Sequence, residues 1–107
     1  MNKDFRMGIL EMVILLISSK GDIYGYDITQ HVFNLLSINE GISYPLIKKL
    51  TNGGSLESYY ENLNNLDSKK YYHLTENGII KLQKYITDYQ EITNRINDLM
   101  KGNESNE

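Results

Sequence analysis

The sequence predicts a mainly α-helical domain with one small β-hairpin, built in the order helix, helix, helix, hairpin, long helix. Three features carry that expectation. The first segment is apolar nearly all the way round, two short tyrosine-rich segments lie close together after a Gly-Gly break, and the last long segment repeats apolar residues at helical spacing. With 107 residues, 40% hydrophobic and 23% charged, the chain reads as one small domain that would gain stability from a partner subunit. The absence of cysteine excludes disulfides, a thiolate metal site and a cysteine nucleophile.

The first helix is expected over residues 4–18, where Phe5, Met7, Ile9, Leu10, Met12, Val13, Ile14, Leu15, Leu16 and Ile17 leave almost no polar face. Glu11 interrupts this apolar run, which falls far short of the roughly 20 residues a bilayer requires, so no membrane span and a cytoplasmic location are expected. The rest of so small a domain cannot cover such a helix alone. Ile9, Met12, Val13 and Leu16 are therefore expected at an interface with a second copy. Lys20-Gly21-Asp22 reads as a stop and a turn, with Gly21 suited to a C-cap.

A second helix over 24–36 places Ile28, Val32 and Leu35 or Leu36 on one face, and Gly25 near its start is expected to permit close helix packing. After a break at 37–40, a third helix runs to about residue 52. It contains Pro45, which is tolerable only in the first turn or so. Gly53-Gly54 ends it. Strands follow at 56–61 and 69–74, joined by the polar loop 62–68. Thr75 is a good N-cap for a helix to about residue 100, on which Leu82, Tyr85, Tyr89, Ile92, Ile96 and Leu99 alternate steps of three and four. That a/d seam is too short for a free coiled coil, so it should pack against other helices, a second copy included.

Three helices followed by a two-stranded wing describe a winged helix-turn-helix, here extended by a long dimerisation helix. The expected boundaries are 1–74 for the winged domain, 75–101 for the dimerisation helix and 102–107 for a disordered tail. On a helical wheel, Ser43, Leu46, Ile47 and Leu50 of the third helix face the core, while Gly41, Tyr44, Lys48 and Asn52 face outward with Lys49 and Pro45 at the edge. An aromatic donor, a cation and small residues on one face suit the reading of a DNA groove. The net charge of −3 argues mildly against nucleic acid, but the tail carries two of the acids. Lys48 and Lys49, then Lys69 and Lys70, form two islands free of acids, in the order recognition helix, then wing.

Tyr24-Gly25-Tyr26-Asp27-Ile28, Gly41 through Leu50, Glu57-Ser58, and Lys70 through Gly78 together resemble the PadR (phenolic acid decarboxylase regulator) family of bacterial transcription regulators. The opening Gly8-Ile9-Leu10-Glu11 fits the same pattern, and the short chain is similar to the compact subgroup with a single C-terminal helix. The resemblance implies a homodimeric repressor that releases operator DNA when a small molecule binds. It implies DNA contacts at Ser43, Tyr44, Lys48, Lys49, Lys69 and Lys70, with Ser43 carrying a hydroxyl that the family usually places one position earlier. It also implies an effector cleft between the long helices, which Tyr89 and Ile92 would line, although this chain lacks the tryptophan often found there. Ser55 stands where an apolar residue usually opens the first strand, and the wing lacks the family's usual arginines.

Two other functional classes find some support in the residues. Asp27, His31 and His73 could supply metal ligands, but no further spacing supports such a site, and no nucleophile motif or phosphate-binding loop is present. The expectation is no enzyme, no cofactor and no metal. The second alternative is a winged-helix dimer that binds another regulator and has given up DNA. Its acidic total favours that reading, and the face bearing Tyr44 and Lys48 opposes it.

Overall fold

A computed structural model describes residues 3–61 and 69–102, with side chains from residue 6 onward. The expected loop at 62–68, and all of the expected tail except Gly102, lie outside the described residues. The elements in order are α1 (Lys3–Ser18), β1 (Ile23–Tyr24), α2 (Gly25–Leu36), α3 (Glu40–Asn52), β2 (Leu56–Tyr60), β3 (Lys70–Leu74) and α4 (Glu76–Lys101). The fold is thus mainly helical, with a small antiparallel sheet and a long C-terminal helix.

The expected hairpin gains a third strand. β1 pairs with β3 on the side away from β2, giving the order β1-β3-β2. Two residues between a turn and a helix carry no periodicity, so β1 is invisible in the sequence; pairing across the chain creates it. Gly21, at φ +141°, turns the chain from α1 towards it.

α1 lies at the centre. Leu10, Val13, Ile14 and Leu15 are buried in one core with Ile28 and Val32 of α2, Leu46, Ile47 and Leu50 of α3, Leu56, Tyr72 and Leu74 of the sheet, and Leu82 of α4. Val13 and Leu82, expected at a subunit interface, are therefore filled positions of the chain's own core. Leu35, a candidate for the buried face of α2, is exposed, whereas Leu36 is half-buried.

The helix ends follow the chemistry of their caps. The Asn39 side chain accepts from the Gly41 N–H at 3.0 Å and opens α3. The Thr75 hydroxyl accepts from the Gly78 N–H at 3.0 Å and opens α4, as expected. α4 has Lys101 in its last turn and closes at Gly102, whose φ is +72°. Pro45 departs from expectation. α3 begins at Glu40, so the proline falls in its second turn and removes the N–H that would have bonded the Gly41 carbonyl. Gly41 and Pro45 are both exposed, so water can reach that carbonyl.

Two glycines mark close approaches. A Cβ on Gly25 would meet Tyr72 Cε1 at 2.9 Å, so the expected tight packing is against β3. A Cβ on Gly78 would collide with the Ser55 carbonyl oxygen and Leu74 Cδ1. Ser55, whose carbonyl makes that approach, is itself buried. Gly78→Ala should destabilise the fold by about 1–3 kcal/mol, because a backbone carbonyl rather than a flexible side chain must move. A thermal melt showing an unchanged midpoint would contradict this packing.

Candidate nucleic-acid interface

The exposed face of α3 presents Gly41, Tyr44, Pro45, Lys48, Lys49 and Asn52, while Ser43, Leu46, Ile47 and Leu50 are buried and seat the helix. Ser43 is a correction to the expected contact set. Its side chain is wholly enclosed and its hydroxyl donates to the Asn39 carbonyl, so the shifted hydroxyl of this chain braces the start of α3. Tyr44 is 40% exposed. Partial burial, then the charge of the nearby Glu40 carboxylate, raise its pKa, so it stays a neutral phenol able to donate a hydrogen bond.

Strand register decides what faces α3. Leu56↔Leu74, Ser58↔Tyr72 and Tyr60↔Lys70 are opposed pairs, and the alternate pairs Glu57↔His73 and Tyr59↔Tyr71 lie on the other face. Tyr44, Pro45, Lys48, Thr51 and Asn52 of α3 and Ser58, Lys70 and Tyr72 of the sheet consequently line one open groove of about 730 Å³. The groove brings the two basic islands of the sequence together. Lys70 Nζ lies 6.0 Å from the centre of the Tyr60 ring. Lys69, just before β3, lies 5.2 Å over the Tyr24 ring.

The outer face of the sheet is aromatic. Tyr26, Tyr24, Tyr71 and Tyr59 form a chain of rings with successive centroids about 6.0–6.1 Å apart. Asp22, at the entry to β1, accepts from the Tyr59 hydroxyl at 2.7 Å and pairs with His73 Nδ1 at 2.8 Å, which ties the three strands together. Those bonds, Tyr59 first and His73 second, hold the Asp22 carboxyl below its ordinary pKa. His73 thus pairs with Asp22, away from Asp27 and His31, and among the described residues no three His, Asp or Glu side chains converge as metal ligands would.

Lys49 turns away from the groove. Its ammonium donates to Glu11 Oε2 at 3.0 Å, and the Tyr85 hydroxyl donates to Glu11 Oε1 at 2.6 Å. Lys81 Nζ lies 3.7 Å from the same Oε1. The Glu11 side chain is only 9% exposed. Burial alone would push its carboxyl up, but the Tyr85 hydroxyl, the Lys49 bond and the charges of Lys49 and Lys81 outweigh it and hold the pKa below the ordinary carboxylate value. The Tyr85 phenol is pushed up to about 12 by burial, by its bond to Glu11 and by that carboxylate's charge.

On the other side of α1, Gly8, Ile9, Met12, Tyr85, Asp88, Tyr89, Ile92, Thr93 and Ile96 line an open, mostly apolar groove of about 380 Å³ against α4. Tyr89 and Ile92, the expected effector residues, stand in it together. The seam is largely uncovered: Tyr89, Ile92 and Ile96 within the groove are about half exposed, Leu99 beyond it more so, and Leu16 of α1 is exposed as well.

This arrangement has known counterparts. The model of the "Transcriptional regulator PadR-like family" matches residues 13–84. The chain belongs to this family. It is a PadR-like transcription regulator and not an enzyme. It is similar to the "Negative transcriptional regulator PadR" of Bacillus subtilis, at 31% identity over 86% of this chain and 53% of that protein, so it spans about half the length of that relative. A crystal structure of a Streptococcus mutans protein superposes with a TM-score of 0.84 at 34% identity, covering 94% of each chain. Bacillus subtilis PadR in complex with operator DNA superposes with a TM-score of 0.65 at 30% identity, over 73% of this chain and 46% of that one.

The sequence did not single out Thr51, Ser58 and Tyr72 as lining of the groove beside α3, nor the Glu11 cluster. A signal for the second was present. A single acid inside an otherwise apolar helix marks a buried carboxylate that needs partners.

The depressed pKa of Glu11 has a pH consequence. A carboxyl that holds its proton less tightly when folded contributes stability that is fully present above its unfolded pKa, about 4.3, and is lost as pH falls through the folded value. Glu11→Gln should therefore remove part of the acid-side loss of thermal stability and leave the part that Asp22 contributes. An identical melting profile from neutral pH downward in both proteins would contradict the charged state of Glu11.

Proposed function

We propose that this protein is a sequence-specific repressor that binds double-stranded operator DNA as a homodimer. The observation that carries the reading is the groove in which Tyr44 and Lys48 of α3 stand opposite Lys70 of the wing. α3 enters the major groove, where Tyr44 and Lys48 reach base edges. Lys70 and Lys69 lie against phosphates on either side, and their charge is local, so the acidic total of the chain does not prevent binding. The relation to Bacillus subtilis PadR, whose structure contains operator DNA, supports DNA as the partner.

The second copy docks along α1 and α4. The uncovered row Tyr89, Ile92, Ile96 and Leu99, continuous with Ile9, Met12 and Leu16, supplies an apolar stripe at coiled-coil spacing that one chain leaves in water. Residues 75–101 thus serve as the dimerisation helix attached to a winged domain at 1–74. An apolar or aromatic effector enters between the two long helices beside Tyr89 and Ile92 and changes the angle between subunits. A coupling of about 1–3 kcal/mol would change operator affinity roughly 5- to 150-fold.

Titration of duplexes selected from a random pool, at several salt concentrations, tests the DNA assignment. Lys70→Ala should weaken binding about equally on all sequences and lower the salt slope by roughly one contact per subunit, while Lys48→Ala should relax sequence preference. Equal, sequence-blind losses at both positions would reject these roles, and no binding to any duplex would favour a protein-interaction module. Ile92→Asp should leave the monomer folded, because the side chain is half exposed there, yet abolish the dimer by placing an unpaired charge in the interface. Sedimentation of the variant as a wild-type-like dimer would overturn the docking surface.

A further inference from the structure

We infer that Glu11 is a positioning residue that ties the recognition helix to the wall of the α1/α4 groove, so that displacing Tyr85 changes how α3 is held. The inference rests on the reading of α3 as the DNA-contacting helix and assigns that helix a control point outside the DNA face.

The geometry is a bridge of two bonds. Tyr85 belongs to the lining of the α1/α4 groove and also donates its hydroxyl to Glu11 Oε1 at 2.6 Å. The other carboxylate oxygen holds Lys49 of α3 at 3.0 Å. Lys49 is the chain neighbour of Lys48, whose side chain stands in the DNA-side groove. Among the described residues, Tyr85 alone is shared by the apolar groove and the Glu11 cluster. A molecule that packs against the Tyr85 ring and swings it about χ1 carries its hydroxyl off the carboxylate.

A short O–H···O⁻ bond is both strong and strict in geometry. At 9% exposure the carboxylate has little access to water as a substitute donor, so losing Tyr85 leaves it leaning on Lys49 and Lys81. An apolar residue at position 11 would pack at least as well as a buried ion. What a carboxylate adds is direction, because its donors arrive from α3 and α4 and their relative placement is set by one rigid group on α1. Lys49 itself is 68% exposed, so its ammonium reaches the carboxylate without entering the core.

The test uses the full chain and amide hydrogen exchange, with α2, which among the described residues gives Glu11 no hydrogen bond or ion pair, as internal reference. Tyr85→Phe keeps the ring in the groove and removes only the hydroxyl. It should speed exchange of the α3 amides relative to those of α2 by about tenfold. Thr87→Val, which removes an exposed hydroxyl from α4 outside the cluster, should leave that ratio unchanged. In a Lys49→Met background the route to α3 is already cut, so adding Tyr85→Phe should not move the ratio further. A merely structural hydroxyl would change α2 and α3 together, or act equally in both backgrounds, and either result overturns the proposal.

A second arm measures affinity for the duplex that the wild-type chain selects. Tyr85→Phe should shift it by about tenfold, and an unchanged affinity overturns the proposal. A wild-type chain that selects no duplex, but whose α3 still responds to Tyr85→Phe through Lys49, would refute the DNA reading and leave the tie between the helices standing.

Discussion

Enclosing α1 is the requirement on which the rest of the structure depends. This 16-residue helix carries apolar side chains on nearly every face, and an exposed helix of that kind would lose the burial that makes it form at all. α2, α3, β3 and α4 each pack against it, so the winged domain is a set of covers arranged around one element. The covering is incomplete along Ile9, Met12 and Leu16, and there the long helix α4 offers its own uncovered seam beside it. The winged fold and the proposed dimer answer the same demand at two levels of assembly.

Glu11 shows how a polar group is accommodated within that demand. A carboxylate on a buried helix is costly unless it is paired and hydrogen-bonded, and here donors reach it from α3 and α4. The arrangement fixes the mutual placement of the helix that faces the basic groove and the helix that faces the apolar one. Burial and hydrogen bonding thereby connect two surfaces with different proposed partners, and no extended path of side chains is needed.

The sheet divides labour by alternation. Because successive side chains point to opposite faces, one register places Ser58, Tyr72 and Lys70 beside α3 and sends Tyr59, Tyr71 and His73 to the outer face. The three-residue knot of Asp22, Tyr59 and His73 holds β1 and β2 to the shared strand β3 from that outer side. A wing with few cations can still place positive charge in the groove, since Lys70 and Lys48 both stand in its lining and no acid does. Local geometry, more than net charge, decides what such a surface attracts.

The helices, both longer strands, the Thr75 cap and the buried face of α3 were legible in the sequence because each rests on a local property: periodicity, capping chemistry or glycine breaks. Membership of the family was legible for a related reason, since its motifs are short runs of neighbouring residues. What needed the tertiary structure depends on residues far apart in the chain. β1 exists only because β3 offers it an edge, and Val13 and Leu82 are core positions because the chain's own elements reach them. Lys49 turns from the groove on α3 towards a largely buried carboxylate 38 positions earlier in the chain, which needs its donors. Spacing along a helix states which side a residue is on, whereas what occupies that side is decided by the cost of leaving charge or apolar surface uncovered, and that cost is settled only when the whole chain is packed.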